Sequence, residues 1–522
     1  MARWDDGYTL WDDGTIWDGE ASPDDLNLLW GIRIDWGNTG TLNVPTNEWQ
    51  KAIKVSYELG RVDYIRLSGD EDEREATGFY YVDPGSATIV LDNSDDRYSA
   101  RNEDSPLYPN VQRGRLAQIS VKTGIYGIEY KRFTGYVNDI DVDNEAETAT
   151  ISLIGPLIRL AKTDASLGLH KTIKISEAIG EILDYVEWPP ALGRNIETTS
   201  DTLSYWWTRG RRALSELHDL ADGDLGTLFC AGDGSLTFHT RNHAGATAVS
   251  LTEPEVGKNI KQRAPWDVIC NLIETTVLPL VPQATGVLWE LVGDLPYFEP
   301  GESREFFCPL QYNDQACPAD NIISPVATTD YTANTSADGS GTDKTANFSV
   351  TRTDLGIMVK LTVKNNGGAG EGAYLRTLQV RGDAVIAPNP VTLIRTDDAS
   401  IRKYGRLRFR YSSNWLQNLN LGDSLADLLV LLLTNELGFL MVEIDSLPDK
   451  QFAAGLFDSV QVDFIRMNVS EAMRVGYYRD EWISPNGQAV KTTLKLEPQL
   501  QMAGDYFRFD ESLLDTDSNF AP

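Results

Sequence analysis

Residues 85–121 read GSATIVLDNSDDRYSARNEDSPLYPNVQRGRLAQISV, and this stretch decides how the fold can be built. Apolar residues at every second position from Ala87 to Leu91 predict a strand. A long polar crossing follows, and Pro106 and Pro109 keep it out of any central strand because proline has no N–H to donate. The strand pattern resumes over residues 116–121. Two strands joined by a long non-helical loop are therefore predicted, and such loops are usually functional.

The composition indicates a globular, strand-rich protein. The 522 residues are enough for about three or four domains. Apolar residues make up 41% of the chain and charged residues 24%, which excludes a disordered chain. The 43 glycines, the 23 prolines and the frequent Thr, Val, Ile and Tyr favour strands and turns. We expect neither a membrane span nor a secretion signal, because no apolar run approaches about 18 residues and the first ten residues lack a basic-then-apolar pattern.

The net charge of −31 argues against two classes of partner. Binding to nucleic acid depends on clustered Lys and Arg, and binding to anionic membranes depends on the same residues. An acidic chain of this kind is predicted to bind neither class specifically. Solubility is one use of the charge.

Two helices and a hairpin are predicted in the second quarter of the chain. The first helix covers residues 175–186, with Ser176 as its N-cap, and a second covers about residues 211–221. Residues 231–234 then supply an Asp-Gly turn between two alternating runs, which is typical of a β-hairpin. Trp206 and Trp207 precede the second helix and are expected to be buried in the core.

Composition changes at about Val281 and changes back at about Ile386. The intervening residues are rich in Thr, Ala, Gly, Asn and Asp, and they predict a β-sandwich inserted into the rest of the protein, with its two ends close together. After it, Asp397 or Asp398 is expected to cap a single helical turn that ends at Gly405. A helix over about residues 423–436, apolar on all sides from 428 to 433, is expected to be buried all round.

The first 20 residues repeat a Trp-Asp-Asp-Gly pattern around Trp4, Trp11 and Trp17. Three large apolar rings in a short polar arm have no local core to enter. We expect them to bury against the body of the protein or a neighbouring subunit. The acidic pairs lack the spacing of a calcium loop, so calcium is not expected there.

No sequence motif of an enzyme is present. The chain contains no nucleophile elbow, phosphate-binding loop or H-E-x-x-H helix. His239 and His243 are four residues apart, but in a hairpin that spacing predicts no shared geometry, and no carboxylate is an obvious third ligand. We therefore expect no enzyme, no metal and no cofactor. The four scattered cysteines are expected to be reduced, although a bridge between Cys308 and Cys317 stays open.

The spaced motifs of the opening stretch resemble a known family. LDN, RYS and N-x-x-SPLYPN-x-x-RG, followed by FTGYV at 133–137 and ATISL at 149–153, resemble the N-terminal region of tail-tip (baseplate) hub proteins of long-tailed, siphovirus-type bacteriophages. D-x-SI-x-x-YG around Ser400 resembles a second motif of that family. The resemblance covers roughly residues 25–280 and 386–500.

The resemblance implies a mainly β, multidomain fold with minor α content, built from two tube-like β-barrel hub domains, a peripheral α/β domain and an inserted β-sandwich. The expected parts are a Trp/Asp-rich arm (1–24), hub β-domain I (25–165), peripheral α+β domain II (166–250), a second hub β-domain with a buried helix (251–280 and 386–500), the sandwich (281–385) and an acidic tail (501–522).

The implied function is structural. A homotrimeric hub in the virion, assembled in the host cytoplasm, would close the tail tube beneath the distal tail protein ring, hold the tape measure protein, anchor tail fibre or tip proteins and form the channel for DNA ejection. Expected contact residues are Trp4, Trp11, Trp17, Pro106, Tyr108, Pro109 and Arg113. The sandwich of such a hub would contact fibres or host surface glycans. The alternative is a secreted or surface β-protein that binds carbohydrate through the sandwich.

The resemblance also gives the acidic excess a second use. Three chains carry 3 × (−31) = −93 formal charges, and an acidic channel wall would let DNA pass without binding its phosphates. Charge on the outer surface would serve solubility alone. The sequence leaves these two placements nearly balanced.

Overall fold

The computed structural model describes residues 28–42, 48–60, 67–68, 75–76, 82–123, 127–243, 245, 247–256, 259–263, 269–434, 438–445, 447–484 and 487–498. Strands dominate these residues and helices are few and short, so the predicted mainly β, multidomain class is confirmed. No helix in the described ranges is both long and apolar enough to cross a membrane.

Apart from one short 3-10 helix (Glu48–Lys51), the regular elements of the described residues from 28 to 154 are strands. Their bounds are β1 (Leu28–Ile34), β2 (Ala52–Gly60), β3 (Leu67–Ser68), β4 (Glu75–Ala76), β5 (Asp83–Asp92), β6 (Leu116–Thr123), β7 (Glu129–Asp143) and β8 (Thr148–Ile154). The two strands predicted on either side of the long polar loop are β5 and β6. They are not neighbours in the sheet, because β7 and β8 lie between them.

Helices appear in the next part of the chain. The elements are α1 (Leu157–Lys162), β9 (His170–Lys174), α2 (Ile175–Tyr185), β10 (Arg194–Ile196), β11 (Thr202–Trp206), α3 (Ala213–Asp224), β12 (Thr227–Cys230), β13 (Leu236–His239), β14 (Thr247–Thr252), α4 (Glu253–Val256), β15 (Ile260–Arg263) and β16 (Leu272–Val277). Both predicted helices and the predicted hairpin, β12 with β13, are confirmed.

The N-cap prediction for α2 is wrong. The helix begins one residue before Ser176, and Lys174 holds the N-cap position, where its backbone N–H donates to the Glu177 carboxylate (3.0 Å). The Ser176 hydroxyl instead accepts from the backbone N–H of Thr199 at 3.3 Å. The serine therefore joins the helix to the following loop.

The sandwich consists of short strands around one long one. Its elements are β17 (Val281–Pro282), β18 (Gly286–Glu290), β19 (Tyr297–Phe298), β20 (Ser303–Pro309), β21 (Gln311–Tyr312), β22 (Gln315–Ala316), β23 (Ala319–Asp320), β24 (Tyr331–Asn334), β25 (Phe348–Asp354), β26 (Met358–Asn365) and β27 (Ala373–Ile386). Val281 pairs with Ile386, so the prediction that its two ends lie close together is confirmed.

The last part of the chain returns to mixed structure. It contains β28 (Val391–Thr396), α5 (Asp398–Tyr404), β29 (Arg408–Ser412), α6 (Leu419–Leu433), β30 (Phe439–Ile444), α7 (Pro448–Gln451), β31 (Ser459–Phe464), β32 (Val469–Trp482) and β33 (Val490–Pro498). The capping prediction for α5 is confirmed, because the Asp397 carboxylate accepts from the Ser400 backbone N–H at 2.8 Å.

One large sheet joins the two ends of the chain. Its strand order is β1-β6-β7-β8-β5-β2-β32-β33-β30-β15, and β31 adds β14 beside β32. Strands expected in two separate hub domains thus share a sheet and a single hydrophobic core. Within the described residues the order is open at β1 and β15. The β2 and β32 strands pack closely where the two parts of the sheet meet, because a Cβ added at Gly60 would lie 2.4 Å from the Gly476 carbonyl oxygen.

A second sheet, β28-β16-β29-β4-β3, carries α6 on one face. The expectation that this helix is buried all round is wrong. One stripe along it is exposed, formed by Asn420, Ser424, Asp427 and Leu431. The helix packs on β16 and β28 from one side only, so its remaining face meets solvent even where the residue is leucine.

Candidate functional site

The long loop between β5 and β6 is ordered by its own backbone. The backbone N–H of every third residue donates to the carbonyl of the residue three positions earlier, with N···O distances of 2.9 to 3.2 Å. The residues linked in this way are Asn93, Asp96, Ser99, Asn102, Ser105 and Tyr108. Consecutive turns of this kind satisfy the backbone without a sheet. The loop is therefore an ordered part of the protein surface.

Aromatic residues anchor this loop to the core. The Asn93 side-chain oxygen accepts from the Tyr98 backbone N–H (2.9 Å), and Tyr98 itself is fully buried. Its hydroxyl donates to the Glu48 carboxylate, which also accepts from the Trp36 indole N–H at 3.3 Å. Burial, with the Glu48 charge beside it, raises the pKa of Tyr98 well above its usual value. The LDN and RYS motifs thus hold the loop in place.

The four loop residues that the sequence predicted to contact a partner all lie on the surface of the chain. Pro106, Tyr108, Pro109 and Arg113 are exposed, and the peptide bond between Tyr108 and Pro109 is cis. Tyr108 is 43% exposed, which is a large apolar area for one ring on a surface. The structure brings these residues onto one loop. Their contact with a partner stays a prediction.

Arg113 is fixed to the sheet by an exposed ion pair. Its Nη2 donates to the Asp139 carboxylate at 2.6 Å and its Nε to the same oxygen at 3.0 Å. The hydrogen bond from Arg113 holds the pKa of Asp139 below its usual value. The guanidinium is thereby oriented at the surface while 70% of its side chain stays accessible. The other nominated residues, Trp4, Trp11 and Trp17, lie outside the described residues.

The expectation that His239 and His243 share no geometry is wrong. Their rings stack with centroids 3.5 Å apart and planes 7° from parallel. The Glu197 carboxylate forms a hydrogen bond with His243 Nδ1, so a carboxylate is present beside the two imidazoles as a third group with a ligand atom. Ligand atoms of all three residues lie within 4.8 Å of one another. Sequence reasoning missed Glu197 because only the parallel pairing of β10 with β13 brings it there.

Other expectations about buried side chains are confirmed. Trp206 and Trp207 are both in the core, where Trp207 packs edge-on against Trp415 with ring centroids 5.1 Å apart. Cys308 and Cys317 are free thiols, so no disulfide bridge joins them. Burial raises the pKa of Cys308 to about 12 and that of Cys317 to about 11, which leaves both thiols unreactive.

Three of the solved structures to which the chain is similar are described as tail proteins. The 43 kDa tail protein of prophage MuSo2 from Shewanella oneidensis is 12% identical, with a TM-score of 0.47, over 90% of this chain and 98% of that one. A tail protein from Neisseria meningitidis MC58 is 9% identical (TM-score 0.43; 91% and 97% covered). Prophage tail protein gp18 from Listeria monocytogenes EGD-e is 8% identical (TM-score 0.40; 91% and 94% covered). No protein-family model and no curated protein matches the sequence.

Proposed function

We propose that this chain is a structural subunit of a bacteriophage tail tip, where three copies form the hub that closes the tail tube. The observation that carries the proposal is the loop between β5 and β6. It holds the spaced motifs that resemble hub proteins, and its Pro106, Tyr108, Pro109 and Arg113 form an ordered, exposed surface.

The open sheet supports an assembly of several copies. Within the described residues, β1 and β15 each have a paired neighbour on one side only. The outer side of β1 is already bonded in part, because the Gln488 side chain exchanges two hydrogen bonds with the Leu28 backbone, so β15 is the edge at which a strand of another chain would pair. Three copies placed edge to edge would complete a ring, and the two β-rich halves of each copy would give it six similar parts.

The proposed domains follow the expected boundaries. Hub parts at 25–165, 251–280 and 386–500 would line the ring, and the peripheral domain (166–250) and the sandwich (281–385) would lie outside it. The distal tail protein ring would contact one face, the tape measure protein the lumen, and tail fibre or tip proteins the other face. The acidic lumen would pass DNA without holding it. In this role the chain is not an enzyme and has no cofactor.

Imaging of particles that carry the chain tests the proposal. Cryo-electron microscopy of tail tips, with an antibody against the sandwich as a marker, should show three labels around a central channel beneath the distal ring. A monomer in isolated form agrees with the proposal if addition of the distal tail protein converts it to a trimer. Labels along the tube, on the capsid or in twofold symmetry would contradict it.

A further inference from the structure

Glu197, His239 and His243 meet where the short peripheral sheet ends. His239 is the last residue of β13, and Glu197 directly follows β10, whose parallel pairing is extended by a bond from the Glu197 backbone N–H to the Phe238 carbonyl (3.0 Å). A turn, closed by the His243 N–H on the Thr240 carbonyl (3.0 Å), folds His243 back over His239. Three separate parts of the backbone thus hold one cluster.

The hydrogen bonds of the cluster, within the described residues, involve Glu197 and His243 but not the ring of His239. Glu197 Oε1 bonds His243 Nδ1, and Glu197 Oε2 accepts from the Thr240 N–H at 2.9 Å and from its hydroxyl at 3.4 Å. Within the part of the chain that the structure describes, neither ring nitrogen of His239 has a hydrogen-bond partner. A half-buried imidazole facing a carboxylate and a second imidazole therefore has unused ligand capacity.

Two of the three residues, His239 and Glu197, have shifted pKa values. Burial, followed by the neighbouring His243, lowers the pKa of His239 to about 4. Burial alone would raise the pKa of Glu197, but hydrogen bonds from Thr240 and His243 outweigh it and the net pKa is lowered. A neutral imidazole and an ionised carboxylate are the forms that bind metals. Thr240 serves as the outer partner that orients the carboxylate.

The donor set selects the class of metal. Two imidazole nitrogens and one carboxylate oxygen suit zinc and related transition-metal ions, while calcium and magnesium prefer oxygen ligands throughout. Zinc takes bonds of about 2.0–2.2 Å, so two ligand atoms on one ion lie about 3–4 Å apart. The ligand atoms here already lie within 4.8 Å. Stacked rings point their lone pairs in parallel, so binding requires the two rings to turn out of the stack.

We propose that Glu197, His239 and His243 bind one divalent transition-metal ion at the exit of the peripheral domain. Residues 240–246 lead from β13 to β14, and β14 belongs to the large sheet, where it pairs with β31. A bound ion would fasten this connection to the end of β10. With three protein ligands, the fourth position remains for water or for a side chain of a neighbouring protein.

Calorimetry on the full chain, after treatment with a chelator, tests the proposal. Zinc should bind with a stoichiometry of one per chain, and cobalt should give a d–d absorption band that zinc abolishes. His239→Gln, His243→Gln and Glu197→Gln should each weaken zinc at least about tenfold, since even loss of an outer partner costs about 10–100-fold. His170→Gln is the matched control, because it removes a histidine of the same domain outside the cluster.

Two readouts decide the outcome even if a variant folds poorly. In the wild type, zinc should raise the melting temperature and magnesium should not. Unchanged melting together with no calorimetric signal overturns the proposal. Zinc affinity that is equal in the wild type and in the three cluster variants overturns it as well, because the ion then sits elsewhere.

Discussion

Arg132 and Asp480, which are 348 residues apart in sequence, form an ion pair inside the core of the large sheet. Arg132 Nε lies 3.1 Å from the Asp480 carboxylate, and the two side chains are 2% and 0% exposed. Arg132 also donates to the carbonyls of Phe452 (3.1 Å) and Ala454 (2.8 Å), and Asp480 accepts from the Thr492 hydroxyl. The pair therefore joins the first third of the chain to the last fifth.

Arg132→Met should destabilise the protein strongly. Burial alone would lower the pKa of Arg132, but the Asp480 charge beside it outweighs the burial and raises the pKa, so the guanidinium keeps its charge. Removing one partner leaves the other charge buried and unpaired, which costs about 3–5 kcal/mol. Chemical denaturation measures this loss. Arg113→Met is the matched control, and an equal loss in both variants would contradict the assignment of Arg132 to the core pair.

Tyr108→Ala should weaken assembly without weakening the fold. The ring is exposed, so the free energy of unfolding should change by about 0.5 kcal/mol or less. An aromatic side chain at the centre of an interface typically contributes enough that its loss lowers affinity about tenfold or more. Binding to the distal tail protein or to the homotrimer, measured by biolayer interferometry, checks this prediction. Tyr185→Ala is the control, because Tyr185 is similarly exposed at 47%.

Arg113→Ala should act in the same way on assembly. Its partner Asp139 is exposed, so melting should be unchanged when the ion pair is removed. Arg113→Lys keeps the charge but loses the two-nitrogen contact with Asp139, and it should restore binding only in part. Full binding by Arg113→Ala would show that this side of the loop does not face a partner.

Removal of the sandwich should leave the rest of the protein folded. Val281 and Ile386 are paired neighbours, about 5 Å apart in an antiparallel ladder, so a short Gly-Ser linker can replace residues 283–385. The deletion also removes the ion pair between Lys171 and Asp320 (2.6 Å), whose lysine end is half exposed. Circular dichroism and the assembly state check the result. Loss of the trimer on deletion would place the sandwich inside the ring.

Acid should destabilise the protein through His218. Burial lowers the pKa of this half-buried side chain from 6.5 to about 4, so the unfolded chain takes up a proton below pH 6.5 while the folded chain does not. Stability is therefore retained above pH 6.5 and falls between pH 6.5 and 4, by at most about 3–4 kcal/mol at 1.4 kcal/mol per tenfold change in proton affinity. His218→Gln should flatten the fall. An identical pH profile in both proteins would refute this.

Local patterns predicted local structure well. The Asp-Gly turn at Asp233 correctly predicted the β-hairpin, and Asp397 was correctly predicted as a helix cap. Both structures depend on residues within a few positions of the signal. The exposed stripe at Leu431 was missed, since hydrophobicity does not report which side of a helix meets a sheet. Pairing between distant segments was missed as well. Nothing near Glu197 or Asp480 in the sequence indicates His243 or Arg132 as its partner.

The pairing of β2 with β32 sets an order of events during synthesis. Tyr57 faces Asp480, so a ribosome adds 480 − 57 = 423 residues before the second partner exists. At about 5–20 residues per second, that interval lasts roughly 20–85 s. During it β2 has β5 on one side and an open edge on the other, where Lys54 hinders pairing with a second nascent chain. Residues 166–250 and 281–385 are thus completed while four strands of the large sheet, β30 to β33, are still to be made.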